Sequence, residues 1–440
     1  MTLIVRLPAL LSCLLFGAHA LRWGDPGLTA CMLLLSAAVV MRRPWLRPVL
    51  AAALAWGLFV WLDTAVELTS VRRMLGQDWG RMAAILGGVF LLDAAALLAL
   101  LSPLGHRAFG RPDGRAWARA SAFLLTFLLL DVSRAMAPFE VLLADRFLPG
   151  WGRFEIGLLA LYASWLTGHV LDPARHAKLR PVFWGFFSLV FFGQLALGLA
   201  GAESFLMTGQ LHLPVPALIL GGPLFRGDGF FMAILFASSV VLLGPAWCSH
   251  LCYIGAWDDA SSRLADKDGQ KRPASMGRLP LLGRGLTLLL TILAALGLRA
   301  AGVAGPTAIW LAVAFGLAGV GVMLFASRRR GAMVHCSTYC PMGLAGNLLG
   351  KLSPWRMAMD ENCTACGRCA KACRYGALEP YDIASRRPGL SCTLCGDCVS
   401  ACRHGSMAYR AHFLSPASAR AAFLVLAVSL HAAFLGLARI

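Results

Sequence analysis

The chain has 440 residues, of which 58% are hydrophobic and only 14% are charged. A soluble domain cannot bury this much apolar material, and runs of about 20 apolar residues are typical of membrane-spanning helices. The net charge of +18 fits basic cytoplasmic loops next to anionic lipid headgroups, so it does not require a nucleic-acid partner.

Hydropathy predicts an all-α polytopic membrane bundle of about eleven spans. We expect the first span to be retained as a helix, although Ala18 to Ala20 resembles a signal-peptidase site. The predicted spans are 3–20, 26–42, 48–66, 83–102, 118–137, 154–172, 181–202, 228–247, 282–302, 306–326 and 419–437.

The basic residues predict an orientation. If the cysteine-rich segment near the C-terminus is cytoplasmic, the loops on its side carry sixteen Lys plus Arg and the opposite loops carry seven. Cytoplasmic loops are the ones enriched in these residues. We therefore predict a multi-pass protein of the bacterial cytoplasmic (inner) membrane, with that segment facing the cytoplasm. The opposite loop 203–227 is itself apolar, and we expect it to fold back on the membrane surface.

Several polar residues lie inside predicted spans, where ionisable groups usually pair with each other or line a pathway. Asp93 lies in the middle of the fourth span. Asp131 and Arg134 are one helical turn apart on the fifth, and we expect them to pair with each other. Gln194 could bind a quinone head or a neighbouring helix.

Two predicted spans end in the same motif, C-S-x-x-C, followed one residue later by a hydrophobic residue and Gly. Its cysteines are Cys248 and Cys252 in the first copy and Cys336 and Cys340 in the second. Residues four apart share a helix face, with Cβ atoms about 5–6 Å apart, and both pairs fall at the predicted cytoplasmic edge. The four thiols are candidates for a further metal or cluster site, or for a redox dithiol. The alternative is that they are small residues buried at helix ends.

The polar stretch that follows holds two copies of C-x2-C-x2-C-x3-C, 29 residues apart. This is the ligand run of a bacterial two-cluster ferredoxin, in which the fourth cysteine of each copy reaches across to the other cluster. Zinc sites have no use for that fourth cysteine, and a disulfide framework would not repeat the spacing. The predicted ligands are Cys363, Cys366, Cys369 and Cys402 for one 4Fe–4S cluster, and Cys392, Cys395, Cys398 and Cys373 for the other.

Two cysteines lie outside these motifs, and two arginines adjoin them. Cys13 and Cys31 stand alone in apolar spans, as inert core cysteines do. Arg374 and Arg403 follow the fourth cysteines, where the ferredoxin run usually has proline. We expect each cation to favour the reduced state of the neighbouring cluster and so to raise its reduction potential.

These segments divide the chain into four predicted parts. An N-terminal six-span region carries no cofactor signature, two hairpins end in the C-x3-C motifs, and a small α+β ferredoxin-like segment precedes a last span. The boundaries are 1–175, 176–350, 351–415 and 416–440.

The order of the motifs over about residues 180–410 resembles the membrane-bound polyferredoxins of the NapH and NosR type. In that family each C-x3-C motif is followed by proline. Pro341 fits this pattern, and Tyr253 replaces the first proline. The resemblance implies electron transfer across or out of the membrane with quinol as the donor. The related copper-oxidase assembly ferredoxins share the motifs.

Taken together, these features predict a membrane-anchored electron-transfer protein with two 4Fe–4S clusters. It would relay electrons between a membrane donor, expected to be quinol, and partner redox subunits or a terminal reductase or oxidase. No catalytic residue is assigned, and quinol oxidation by the chain itself stays open. The alternative is an assembly or redox-regulatory protein that uses the C-x3-C pairs as a copper or dithiol site.

Overall fold

The computed structural model describes residues 2–206, 213–267, 277 and 279–437. The chain is mostly helical and forms two compact units, Met1–Gly168 and His169–Ile440. Among the described residues, nine helices are long and apolar enough to cross a membrane. They are Leu3–Arg22, Leu46–Met74, Gly80–Leu101, Gly114–Met136, Pro173–Leu199, Phe231–His250, Leu279–Ala300, Gly305–Arg330 and Pro416–Leu437.

Two predicted spans do not correspond to any of these nine helices. The stretch predicted as 26–42 contains a helix of only 13 residues, which begins at Pro26 after the capping side chain of Asp25. The stretch predicted as 154–172 forms a helix with Arg153 and Glu155 in its first turn. The count of about eleven spans therefore stays a prediction.

The first unit is built from eight helices in its described residues. Its core lies where the first helix packs against the third, fourth and fifth, and Val5, Leu50, Leu100 and Phe109 are fully buried there. The helices are α1 (Thr2–Arg22), α2 (Pro26–Ala38), α3 (Leu46–Met74), α4 (Gly80–Leu101), α5 (Pro103–Phe109), α6 (Gly114–Met136), α7 (Leu143–Phe147) and α8 (Gly152–Val170).

The predicted pair between Asp131 and Arg134 is wrong. Arg134 binds Asp145, with 2.6 Å between Nε and Oδ2, whereas Asp131 accepts a hydrogen bond of 2.8 Å from Arg153. Arg153 also pairs with Asp25. Both predicted partners are therefore satisfied by residues outside their own helix, which the periodicity of one helix could not reveal.

The second unit contains the remaining elements. Its helices are α9 (Pro173–Leu199), α10 (Leu218–Arg226), α11 (Phe231–Leu243), α12 (Trp247–His250), α13 (Tyr253–Lys267), α14 (Leu279–Ala300), α15 (Gly305–Gly321), α16 (Arg328–Arg330), α17 (Pro341–Leu349), α18 (Arg368–Ala372), α19 (Pro380–Ala384), α20 (Asp397–Ala401) and α21 (Pro416–Leu437). Its strands are β1 (Arg356–Met359) and β2 (Met407–Arg410), its 3-10 turns are Glu203–Phe205 and Gly244–Ala246, and its π-helical turns are Val322–Ser327 and His335–Tyr339.

The end of the loop predicted to lie on the membrane surface packs against helices of this unit, and residues 207–212 of that loop lie outside the described residues. A Cβ atom on Gly316, in the middle of α15, would lie 2.8 Å from Cγ2 of Val215. A Cβ atom on Gly221 of α10 would likewise lie 3.2 Å from Thr291 of α14. Non-helical backbone is tolerated at membrane depth only where protein surrounds it or a cavity adjoins it. The contact with α15 gives residues 213–217 such surroundings.

The ferredoxin-like segment is closed by a two-stranded antiparallel sheet. Strand β1 pairs with β2 so that Arg356 lies opposite Arg410 and Met359 lies opposite Met407. Each cysteine run forms a loop followed by a five-residue helix, α18 in the first copy and α20 in the second. The two halves of the sequence repeat thus form the same local structure.

Candidate iron–sulfur centres

The two cysteine loops share an unusual backbone conformation. Ala365 and Leu394 occupy equivalent positions and have φ values of 51° and 54°. A non-glycine residue in this region costs about 1–3 kcal/mol, and such strain is typical of ligand-holding loops. The conformation aims backbone N–H groups at the sulfurs, since Arg368 donates to Cys366 and Asp397 donates to Cys395.

The four cysteines predicted to hold the first cluster line one cavity. Met359, Ile383 and Met407 form part of its apolar wall. Burial raises the pKa of Cys369, and the neighbouring sulfurs of Cys363 and Cys402 raise it as well. The cysteines in the cavity wall are Cys363, Cys366, Cys369 and Cys402.

The four cysteines predicted to hold the second cluster also lie together. Burial raises the pKa of Cys398 well above its usual value, and the nearby sulfurs of Cys395, Cys392 and Cys373 add to this effect. Cys373 comes from the other copy of the repeat, as the crossed pattern requires. Its sulfur accepts a hydrogen bond of 3.3 Å from the backbone N–H of Ala377.

The two C-x3-C motifs form a third group of four cysteines. Burial raises the pKa of Cys336 well above its usual value, and Cys340, Cys252 and Cys248 are among the neighbours that raise it further. Gly346 of α17 adjoins this group, because a Cβ atom there would lie 3.7 Å from the Cys248 sulfur. The convergence that the matched motifs predicted is therefore present.

The local structure of these motifs differs from the predicted single helix face. Cys252 lies between α12 and α13, and Cys340 lies between a π-helical turn and α17. Tyr253 begins the helix after the first motif just as Pro341 begins the helix after the second. Proline disfavours helical conformation in the residue before it, which explains the break at Cys340.

The glycine at the end of each motif allows the turn to close on its own cysteines. The sulfur of Cys252 accepts a hydrogen bond from the N–H of Gly255, and the sulfur of Cys340 accepts one from Gly343. A Cβ atom on Gly255 would lie 2.9 Å from the carbonyl oxygen of Cys248, and one on Gly343 would lie 2.6 Å from that of Cys336. Glycine is thus required at both positions.

Burial also affects the protonation of the third group. Burial, and next the nearby sulfur of Cys340, raise the pKa of Cys252 to about 12. A thiol with such a pKa is protonated at neutral pH and is a poor nucleophile for thiol exchange. A metal centre bound at this group would have to displace these protons.

The described residues contain no group of three or more His, Cys, Asp or Glu side chains placed to hold one metal ion. In a 4Fe–4S cluster each cysteine binds a different iron, so the sulfurs need not converge on a single point. The residues that fit this chemistry are the three cysteine groups described above.

Two buried charged residues next to the third group were not predicted. Asp258 on α13 accepts a hydrogen bond of 2.9 Å from the backbone N–H of Cys336. Arg284 on α14 lies within electrostatic range of the Cys248, Cys336 and Cys340 sulfurs. Arg284 lies inside a predicted span, and a buried arginine there is a signal that could have identified it.

Arg374 and Arg403, predicted to act alike, lie in different environments. Arg374 is buried, and its Nη1 donates a hydrogen bond of 2.9 Å to the carbonyl oxygen of Ser262 on α13. The backbone N–H of Met333 in turn donates to the carbonyl oxygen of Arg374. Arg403 is exposed. Arg374 therefore holds the ferredoxin-like segment against α13 and Met333.

A buried ion-pair network joins α9 to both parts of the site. Arg180 is fully buried and pairs with Asp259 of α13 at 3.1 Å and with Asp397 of α20 at 2.9 Å. Burial opposes ionisation of Asp259, but Arg180 and Arg263 outweigh it and hold the pKa of this carboxyl below its usual value. These ion pairs therefore hold the loop after Cys395 against α9 and α13.

Family models match the part of the chain that holds the C-x3-C motifs and the first ferredoxin run. A family model described as a 4Fe-4S binding domain matches residues 228–270 and 309–358, which include both C-x3-C motifs. A second model with the same description matches residues 359–379, which include the first ferredoxin run. Comparison with curated proteins and with solved structures finds no match.

These domains and the apolar helices support a membrane iron–sulfur electron-transfer protein. The chain carries ferredoxin-type 4Fe–4S binding domains in its C-terminal part and helices able to span a membrane.

Proposed function

We propose that this protein relays electrons from a membrane quinol to a redox partner through three cysteine-held iron–sulfur centres. Each 4Fe–4S cluster supplies a site that accepts and donates one electron. The two ferredoxin runs hold two clusters, and the C-x3-C motifs hold a third centre. The observation that carries the proposal is the direct connection between the third cysteine group and the second.

Three hydrogen bonds make this connection. The Ser249 hydroxyl donates to the carbonyl oxygen of Thr393 at 2.8 Å. The Asn347 amide donates to the carbonyl oxygen of Cys392 at 3.3 Å, and the Tyr375 hydroxyl donates to that of Cys248 at 3.4 Å. The first bond joins the residues that follow Cys248 and Cys392, and the third joins Cys248 to a residue two positions after Cys373. These bonds make a short path for electrons between the two groups.

Arg284 lies between the same two groups. Its guanidinium donates to Asn347 at 2.5 Å and to the Ser391 hydroxyl at 3.0 Å, next to Cys392. A buried cation stabilises the extra negative charge that a centre gains on reduction. Arg284 would therefore raise the reduction potential of both neighbouring centres and favour the entry of electrons from quinol.

In this proposal, electrons leave the protein through the first cysteine group. Cys366 is exposed, whereas Cys395, at the equivalent position of the second group, is buried. Arg368 is exposed beside Cys366, and Arg403 is exposed next to Cys402 of the same group. An electron-transfer partner with an acidic docking face would fit this cationic rim, since complementary charge orients redox encounters.

Two finer assignments belong to this proposal. The excess of Lys and Arg in the loops on one side supports a cytoplasmic position for the ferredoxin-like segment in a bacterial inner membrane. The order of the motifs supports kinship with the polyferredoxins of the NapH and NosR type. Tyr253 begins a helix in the place of the family's proline, as Pro341 does in the second motif.

Iron analysis of matched cysteine variants tests the third centre. Protein isolated anaerobically is expected to hold about twelve iron atoms per chain, as three 4Fe–4S clusters require. A Cys252→Ala, Cys340→Ala double variant is expected to lose about four of them. Cys13→Ala, which changes a buried cysteine of the first unit, is the control and is expected to lose none.

The same preparations separate this function from the alternatives. Menaquinol or ubiquinol added anaerobically should bleach the cluster absorbance of the native protein. If neither quinol bleaches the absorbance, quinol is ruled out as the electron donor. Stoichiometric copper in place of the third set of iron atoms would instead support the assembly function.

A further inference from the structure

Positive charge without a carboxylate partner is concentrated at one end of the first unit. It lies in segments 2–9, 39–47 and 103–119, in which Asp113 is the only acidic residue and caps α6. Among the described residues, no arginine of these segments forms an ion pair. These arginines are Arg6, Arg42, Arg43, Arg47, Arg107, Arg111, Arg115 and Arg119.

Direct contacts hold the three segments together. A Cβ atom on Gly110 would lie 3.1 Å from Cγ of Pro44. Arg6 donates a hydrogen bond of 2.6 Å to the carbonyl oxygen of Ala108 and a longer one, of 3.4 Å, to that of Val40. The arginines between α2 and α3 therefore lie beside those of α5 and the start of α6.

Two of these arginines lie below the surface and keep their charge. Arg47 is buried, and its guanidinium donates to the carbonyl oxygens of Leu100 at 2.7 Å and Leu101 at 3.1 Å. These oxygens accept hydrogen bonds but carry no net charge. The guanidinium carbon of Arg119 lies 4.8 Å from the ring centre of Trp45, and its buried Nε makes no hydrogen bond to the described part of the chain.

The cations at this end are close enough to repel one another. Arg43 and Arg115 lie within electrostatic range of Arg119. Burial lowers the pKa of His106, and two neighbouring arginines lower it further. Charges of one sign that are grouped on a surface attract counter-ions and destabilise the compact state by self-repulsion. A bound anion would relieve this repulsion.

The surroundings indicate what kind of anion fits. Leu3 and Ile4 are exposed near the start of α1, and Trp117 is exposed two residues after Arg115. Tryptophan is enriched where a membrane helix meets the headgroup layer, and basic pockets between membrane helices bind anionic headgroups. A free phosphate ion would make no use of the apolar side chains, whereas a phospholipid would place its acyl chains against them.

We propose that the exposed arginines of this end, here called the arginine surface, bind the phosphate group of an anionic phospholipid. Arginine suits this ligand because its planar guanidinium pairs with two phosphate oxygens at once. The site gives the first unit a ligand of its own and does not depend on the iron–sulfur centres. The arginine surface consists of Arg42, Arg43, Arg107, Arg111 and Arg115.

Two double variants that each remove two charges test the site. Arg43→Gln with Arg111→Gln changes the arginine surface. Arg22→Gln with Arg81→Gln is the control, because both residues are exposed and lie at the far ends of α1 and α4. Native mass spectrometry of the full-length protein in detergent measures the Kd of the first bound lipid. The probes are dioleoyl phosphatidylglycerol, dioleoyl phosphatidylcholine, which has the same chains and no net charge, and inorganic phosphate.

The native protein and the control are expected to bind phosphatidylglycerol equally well, and phosphatidylcholine at least about tenfold more weakly. The variant of the arginine surface is expected to bind phosphatidylglycerol at least about tenfold more weakly than the native protein, because two attractive charges are lost. Equal affinities of the two variants would overturn the site, and equal binding of both lipids would overturn recognition by charge. Displacement of phosphatidylglycerol by an equal concentration of inorganic phosphate would overturn the lipid as the ligand.

Discussion

Arg374 and Arg403 hold equivalent places in the sequence repeat, yet the structure separates their roles. The first is buried against the carbonyl oxygen of Ser262, and the second is exposed. A charge-assisted hydrogen bond to a buried carbonyl is worth about 1.5–3 kcal/mol. An exposed cation acts mainly through its charge, which solvent screens.

Arg374→Ala is accordingly expected to destabilise the attachment of the ferredoxin-like segment. The temperature at which cluster absorbance is lost should fall, because the variant leaves the Ser262 carbonyl without this donor, at a cost of about 2–3 kcal/mol. Arg403→Ala is the matched control and should keep the native transition. Equal transitions for the two variants would contradict the docking role of Arg374.

The sequence predicts the cysteines better than the residues that surround them. The spacing of each ferredoxin run is local, so Cys363 to Cys373 could be assigned by pattern alone. Arg284 contacts Ser391, and Arg374 contacts Ser262, over 107 and 112 residues of chain. No local pattern encodes such contacts. The pair predicted for Asp131 and Arg134 failed for the same reason.

At the scale of elements, the two C-x3-C motifs act as matched helix starts. Cys252 precedes α13 and Cys340 precedes α17, so both sulfurs lie at helix N-termini, whose backbone N–H groups offset part of the rise in pKa that burial causes. The glycine three residues later closes the turn. The sequence revealed the matched glycines, but only the structure shows that they pack on the carbonyl of the first cysteine.

Gly343→Ala is therefore expected to disrupt the third centre. The added methyl group would meet the Cys336 carbonyl oxygen at 2.6 Å, so the turn must shift, at a cost of about 1–3 kcal/mol. About four iron atoms per chain should be lost. Gly297→Ala on α14 is the control, since a Cβ atom there has no neighbour within 4 Å. Full iron content in Gly343→Ala would mean that the turn is not part of the centre.

Arg180 joins three helices, α9, α13 and α20, through its ion pairs. Removal of one member of a buried ion-pair network leaves uncompensated charge and costs about 3–5 kcal/mol. Arg180→Leu should therefore lower the temperature of cluster loss much more than Arg263→Leu. Arg263 also pairs with Asp259 but is 31% exposed, and partly exposed pairs contribute about 1 kcal/mol or less. Similar effects of the two changes would contradict the network.

At the scale of the whole molecule, the sequence indicated a helical membrane protein because apolar runs are long and unmistakable. The number of spans was harder to predict from hydropathy, because the helix at Pro26–Ala38 is short. The sequence could not place residues 213–217 against α15 either, because apolar residues suit a membrane surface and a protein interior equally well. The orientation of the second unit does not depend on that count.

A reporter enzyme can establish this orientation. Alkaline phosphatase fused after residue 437, beyond α21, is expected to be active, because that end should lie outside the cytoplasm. The same enzyme fused after residue 411, between β2 and α21, is expected to be inactive. The reverse pattern of activities would place the iron–sulfur centres on the opposite side of the membrane.

The pairing of β1 with β2 has a consequence for how such proteins could arise. Because Arg356 lies opposite Arg410, the polypeptide leaves the bilayer helices and rejoins them at adjacent points. A gene segment encoding another two-cluster carrier could therefore be spliced between these positions without rethreading the bundle. The inserted domain would need a carboxylate that pairs with Arg180 and an arginine that hydrogen-bonds to Ser262. Recombination would therefore favour carrier domains that already have both residues.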